Sequence, residues 1–232
     1  MKQNWKEIIK FSLPMTFIGI ADILIILIDF IWVYIFIGKP ETFGALRISS
    51  SIIILVEAVL TAIVGAIMVY VSQHFGAKDL TETRKGIINC FSFSIYGGLI
   101  VSVVGLTFMP LLALLFGVDK VTSIYVNSYL SYLFIGYVLI SLNNMLLVLP
   151  RYFGEIKLIY KGLGIIIALN SSITPLLMMI FGKNDTDIIS CAAIGTIIAN
   201  LMCFIYLFYK VFIKDYLNIG LSVKSISFKV DT

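Results

Sequence analysis

A chain of 232 residues that is 60% hydrophobic, with a mean hydropathy of +1.04, is too apolar for a soluble domain, where about 45–50% is usual. Its net charge of +4 fits loops anchored on an anionic inner leaflet, and gives no case for nucleic acid as a partner. Three cysteines without a CxxC pair, and one histidine, exclude a disulfide framework and a Cys/His metal centre.

In chain order, Asn4-Trp5-Lys6-Glu7-Ile8-Ile9-Lys10 puts apolar residues on one helical face and lysines on the other. Residues 1–10 therefore read as a cytoplasmic interfacial segment with Trp5 at the headgroup level. Apolar runs follow at 11–37, 49–71, 87–116, 124–149, 162–182 and 188–213. Each reaches the ~20 residues that a helix needs to cross ~30 Å of hydrocarbon. Helices are required, because backbone facing lipid must satisfy its own hydrogen bonds. The first run is too long for a cleavable signal. The expected fold is an all-α membrane protein of six transmembrane helices over 11–213, with a cytoplasmic tail or linker over 214–232. That tail alternates polar and apolar residues (Leu221, Val223, Ile226, Phe228) and reads as an amphipathic segment without a partner.

Basic residues set the orientation. With the N-terminus inside, thirteen of them fall in cytoplasmic segments, among them Lys78, Arg84, Lys85 and Arg151. Only Lys39, Arg47, Lys120 and Lys183 fall outside. The positive-inside rule then places both termini in the cytoplasm of a multi-pass protein of the plasma (inner) membrane.

Three carboxylates lie inside spans. Asp22 and Asp29 are seven apart on one face of the first helix, and Glu57 lies ten residues beyond Arg47, ~15 Å along the second. An acid at a helix centre costs ~2.5–3.5 kcal/mol on insertion scales, so each needs a partner, a proton or a wet cavity. The one basic residue within these bounds is Lys210, at the cytoplasmic end of the sixth run and far from the three acids, so internal ion pairs do not account for them. Two readings stay open: protonated acids bonding between helices, or an ion or proton site facing a cavity. The fifth span adds Asn170, Ser171, Ser172 and Thr174 before Pro175, which frees a carbonyl one turn earlier. Asn170 and Thr174 share a helix face, and Thr196 follows in the sixth span. Cys90, Cys191 and Cys203 are small buried hydrophobes, and His74 sits at a loop edge.

Four motifs in order carry a resemblance. Phe11-Ser12-Leu13-Pro14 through Ile28-Asp29-Phe30-Ile31-Trp32-Val33 resembles the opening "LP…VDxxxVG" helix of the multidrug and toxin extrusion (MATE) transporters. The loop Val71-Ser72-Gln73-His74-Phe75-Gly76-Ala77-Lys78-Asp79 is similar to that family's "V-[SA]-Q-x-[FY]-G-A-x-D". Asn143-Asn144 with Arg151-Tyr152-Phe153-Gly154-Glu155 resembles "NN…RGxGD", and Cys191-Ala192-Ala193-Ile194-Gly195-Thr196 resembles "GAAxAT".

The resemblance implies the amino-terminal lobe of a proton- or sodium-coupled antiporter exporting small amphiphilic, cationic compounds. It carries the coupling site onto Asp29, Asn170, Thr196 and the carbonyl of Ala192. The family's fifth-span aspartate is Thr174 here, which is expected to join Asn170 and Thr196 in arranging oxygens around the coupling ion; the site keeps one carboxylate, and sodium, a hard cation wanting several oxygens, is less well served than a proton. Asp22 and Glu57 are additional intramembrane acids. No cofactor is implied beyond the coupling ion, and no metal beyond a sodium at Asp29. The partners implied are the bilayer, a small-molecule substrate, and a second lobe or second half-length chain. The alternatives are a non-transporting remnant or accessory subunit, and a flippase-like relative for lipid-linked substrates. Enzymatic chemistry is not expected, because no HExxH, paired-aspartate or Ser–His arrangement occurs.

Overall fold

A computed structural model of the chain describes residue 20 and residues 23–221, without the side chains of 110 and 112–114. Trp5, Pro14, Asp22 and the tail beyond 221 lie outside the described residues. The architecture is helical throughout: α1 (Ile23–Phe36), α2 (Pro40–Gly76), α3 (Leu80–Leu115), α4 (Lys120–Ile135), α5 (Tyr137–Tyr152), α6 (Ile156–Phe181) and α7 (Asp185–Phe208), closed by a π-helical turn at Tyr209–Ile213. Among the described residues α2, α3, α6 and α7 are each long and apolar enough to cross a membrane, and α4 with α5 makes a fifth span. With α1 as the first, this is the six-helix lobe expected from the sequence.

Local chemistry sets the helix ends. Pro40 opens α2 with Glu41 in the first turn, so the helix starts nine residues before the apolar run at 49. Hydropathy locates the part in hydrocarbon, and a capped helix continues past it. Asp119 caps α4, accepting from the amides of Val121 at 3.1 Å and Thr122 at 3.2 Å. Bonds from the Thr122 hydroxyl and these amides hold the Asp119 carboxyl below the usual carboxylate range. Asn184 caps α7 by accepting from the amide of Asp187 at 3.0 Å.

Two expectations are corrected. The run 124–149 is not one helix: α4 and α5 meet at Gly136 and bend by 62°. The bend fits because neighbouring surfaces are cut away. A Cβ on Gly136 would lie 2.8 Å from Ile197 of α7, and one on Gly98 of α3 would lie 2.8 Å from the Cα of Val138. Gly105 of α3 leaves room for the ring of Phe134 in the same way. Conversely, Pro175 does not interrupt α6, which runs unbroken from Ile156 to Phe181.

The segment after α7 is the second correction. Residues 215–221 are not a free amphipathic tail, for Leu217, Ile219 and Leu221 are buried against α2, α3, α5 and α7. Asp215, at φ +44°, accepts from the amides of Ile219 at 3.0 Å and Gly220 at 2.7 Å. Arg84 of α3 donates to the carbonyl of Ile219 at 2.6 Å and pins this turn to the bundle.

Beside a small apolar cluster at Ile159 and Leu163, two large ones result, one at each end. Near Lys78 it holds Val64, Met68, Ile87, Leu146 and Leu207; near Lys39 it holds Val33, Leu46, Val126, Phe134 and Ile189. Asp29 lies between them. The α3–α5 contact generates an expected outcome. Gly98→Ala should lower stability by about 1–3 kcal/mol in denaturation of the purified chain, because the new methyl meets backbone. Gly164→Ala, on an open face of α6 with nothing near its Cβ, should be neutral or slightly stabilising.

Candidate functional site

Asp29 faces inward because α1 is one-sided: Val33, one turn on, is fully buried, while Leu24, Leu27, Ile31 and Ile35 are exposed. The carboxylate is only 3% exposed and receives three donors from three helices. The Tyr129 hydroxyl of α4 donates to Oδ2 at 2.9 Å and the Thr196 hydroxyl of α7 to the same oxygen at 3.0 Å. The Asn170 amide of α6 donates to Oδ1 at 3.1 Å. Each bond to a charged group contributes about 1.5–3 kcal/mol. Three of them offset the several kcal/mol that it costs to take the ion out of water.

Thr174 acts one step further out. Its hydroxyl donates to Oδ1 of Asn170 at 2.5 Å, which turns the Asn170 amide nitrogen toward Asp29. Contact between α6 and α7 is tight here: a Cβ on Gly195 would lie 3.1 Å from the Cα of Thr174 and closer still to its hydroxyl. Ser171 and Ser172 do not join the site, because they donate back to Ile167 and Ala168 of their own helix. Ala192 is fully buried one turn before Thr196. Its carbonyl is an acceptor, so it can serve a protonated Asp29 or a bound cation but not the ionised acid. Asp22 lies outside the described residues.

Beside Asp29 opens a cavity of about 470 Å³. Its walls are apolar, with Ile25, Ile53, Ile54, Leu133, Leu147 and Ile166 among them, and Asp29, Glu57, Asn144, Thr196 and Asn200 supply polar groups. That size and mixture suit a small organic molecule. Glu57 faces the same cavity and accepts from the Asn144 amide at 3.3 Å. Behind the cavity wall Asn143 donates to Asn200 at 2.8 Å, and Asn200 donates to the carbonyl of Thr196 at 2.8 Å.

The sequence reading thus brought together Asp29, Asn170 and Thr196, and it missed Tyr129 and Asn200. A signal existed for Tyr129. Tyr125 and Tyr129 are four apart on α4, and buried phenols need acceptors. Both bond carboxylates, Tyr125 reaching Asp185 at 3.0 Å. Lys39 also donates to Asp185, at 2.5 Å, so the α1–α2 turn is latched to the start of α7. This bond raises the Lys39 ammonium above its usual range.

The family model MatE matches residues 14–160 of the chain. The chain is similar to the "Multidrug export protein MepA" of Staphylococcus aureus (strain bovine RF122 / ET3-1), 29% identical over 229 residues, which are 95% of this chain and 48% of that protein. It is also similar to the "Probable multidrug resistance protein YpnP" of Bacillus subtilis (strain 168), 25% identical over 208 residues, 89% and 45% of the two chains. Among solved structures, "Crystal structure of MATE in the bent conformation" superposes with a TM-score of 0.84 at 19% identity, covering 95% of this chain and 48% of that one. "Outward-facing conformation of a multidrug resistance MATE family transporter of the MOP superfamily" gives 0.82 at 19% identity, with the same coverage. The chain spans about half the length of the curated relatives it matches.

The close approach at Gly195 is testable by a double-mutant cycle. Gly195→Ala should destabilise the chain by about 1–3 kcal/mol, since Thr174 must give way. In a Thr174→Ala background the cost should shrink, with a coupling of about 0.5–3 kcal/mol. Additive effects in denaturation would contradict the packing described.

Proposed function

The chain belongs to the MatE family of multidrug efflux transporters, and we propose on that footing that it forms one lobe of an antiporter exporting small amphiphilic cations against proton entry. One observation carries this reading: a buried acid ringed by three donors opens on an apolar cavity of drug-sized volume. The ring suits a carboxylate that takes up and releases a proton. Oδ1 accepts only from Asn170 and keeps a lone pair for the proton, and protonation there removes the negative charge that all three donors bond, so each bond weakens. The hold of α1 on α4 and α7 then loosens, so proton uptake acts directly on helix packing.

A proton is favoured over sodium by the orientation of Asn170, which offers nitrogen to Asp29 while its oxygen is taken by Thr174. Sodium would require that amide and both hydroxyls to turn oxygen inward. A lipid-linked phosphate as cargo is disfavoured, because no Lys or Arg lines the cavity among the described residues. The matched relatives are about twice as long, which supports a complementary six-helix lobe as partner, with access alternating as the two rock about the cavity.

The experiment is dye efflux from proteoliposomes of the chain, alone and with a complementary lobe, under imposed proton or sodium gradients. Asp29→Asn should reduce proton-driven efflux to the level of empty vesicles while expression and insertion persist. Efflux retained by this variant under both gradients would remove Asp29 from coupling.

Orientation in the inner membrane follows the basic residues, with both termini cytoplasmic. Cysteines placed at Lys78 and Arg151 should label only from the cytoplasmic side, and one at Lys120 only from outside. Cytoplasmic labelling of the Lys120 position would overturn the topology.

A further inference from the structure

A groove opens on the outer face of the α6–α7 pair, apart from the cavity at Asp29. On α6 it is lined by Lys161, Gly164, Ile165 and Ala168, which fall at intervals of three, four and seven residues and so share one helix face. The opposite face of α6 carries Leu163, Ile166 and Asn170 into the bundle. Across the groove stand Tyr206 of α7 and Lys210 of the π-helical turn, four residues apart. A Cβ on Gly164 would meet nothing within 4 Å, so the floor is open.

The groove is polarised along its length. Both lysines sit where α6 begins and α7 closes, the cytoplasmic end on the proposed topology. From Lys161 to Ala168 the floor runs about 10 Å into the apolar part of α6. Among the described residues no acid lines it. Asp215, in the turn beyond Lys210, accepts instead from the amides of Ile219 and Gly220. The Lys210 ammonium lies 5.9 Å from the centre of the Tyr216 ring, a contact that holds the charge at the level where tyrosines sit in a bilayer.

We propose that this groove binds one anionic phospholipid of the cytoplasmic leaflet, its phosphate at Lys161 and Lys210 and one acyl chain against Gly164, Ile165 and Ala168. Such a lipid matches both parts of the surface, with a negative headgroup above and a hydrocarbon chain below. Basic pockets between helices at the cytoplasmic level take headgroups of this kind, and an ammonium serves a phosphate as a compact charge with three donors. A free phosphate would use the lysines and leave the apolar floor uncovered. A zwitterionic lipid would cover the floor and leave the positive charge unmatched. The site is independent of the export reading, since it lies on the lipid-facing side of the bundle. It bears on the same helices, however: α6 and α7 supply Asn170 and Thr196 to Asp29, and a lipid seated between them braces that pair.

The test is native mass spectrometry of the purified chain, titrated in detergent with phosphatidylglycerol or phosphatidylcholine of identical acyl chains. Wild type should hold phosphatidylglycerol about tenfold more tightly. Lys161→Gln with Lys210→Gln should cut that preference below about threefold, and Lys161→Arg with Lys210→Arg should keep it. Lys78→Gln, which removes a cytoplasmic lysine from the α2–α3 loop, should change it by less than about twofold. Glycerol phosphate in about tenfold excess should not displace the lipid. No preference in wild type, an undiminished one in the double glutamine variant, or an equal loss in Lys78→Gln would overturn the proposal. Displacement by glycerol phosphate would mark a site for the free anion and overturn it also.

A second measurement stands if the double glutamine variant fails to fold. Gly164→Leu fills the groove from a position with open space around it and leaves both lysines in place. Phosphatidylglycerol should raise the melting temperature of wild type more than phosphatidylcholine does, and Gly164→Leu should lose most of that difference. An equal difference in wild type and Gly164→Leu would overturn the assignment.

Discussion

A single buried carboxylate organises this bundle. Asp29 is held by Tyr129, Asn170 and Thr196, one donor from each of α4, α6 and α7, so four of the seven described helices meet at one side chain. Such a charge persists in an apolar interior only while its donors are in place. The packing around it secures those donors: Gly195 lets α6 and α7 approach, and Thr174 turns Asn170 to present nitrogen. The link between proton and structure is then short. Whatever changes the charge of Asp29 changes the bonding of three helices at once.

The rest of the lobe leaves this centre room to respond. Apolar clusters at the two ends fix the helices, and between them the cavity lies along α1 and α2. The bend at Gly136 brings Tyr129, Leu133, Ile140 and Asn144 of one broken span onto the same wall. Close approach at Gly98 and Gly105 holds that bend against α3. The cavity thus arises from close backbone packing on its outer side as much as from its lining residues.

What the sequence revealed follows from what each signal costs. An acid in a span is expensive, so Asp29 and Glu57 stood out by composition alone, and the family motifs led to Asn170 and Thr196. Tyr129 did not stand out, because a tyrosine in an apolar run resembles ordinary packing until its acceptor on another helix is known. Thr174 was expected among the ligands, and it acts instead through Asn170. The Gly136 bend left no trace in hydropathy, since the apolar run continues across it. The turn at 215–221 was read as free because alternation reports amphipathicity, whereas burial there depends on the backbone turn at Asp215 and on Arg84, 135 residues away. Local cost is visible in a sequence; the partner that offsets it lies elsewhere in the chain.

The central claim, that Asp29 is the acid whose protonation reorders the ring, is tested most directly by pH-difference infrared spectroscopy of the purified chain. On acidification a protonated-carboxyl band should grow together with a change in a tyrosine band. Asp29→Asn should remove that carboxyl component, and Tyr129→Phe should shift it by deleting one donor. A difference spectrum unaltered by Asp29→Asn would contradict the account.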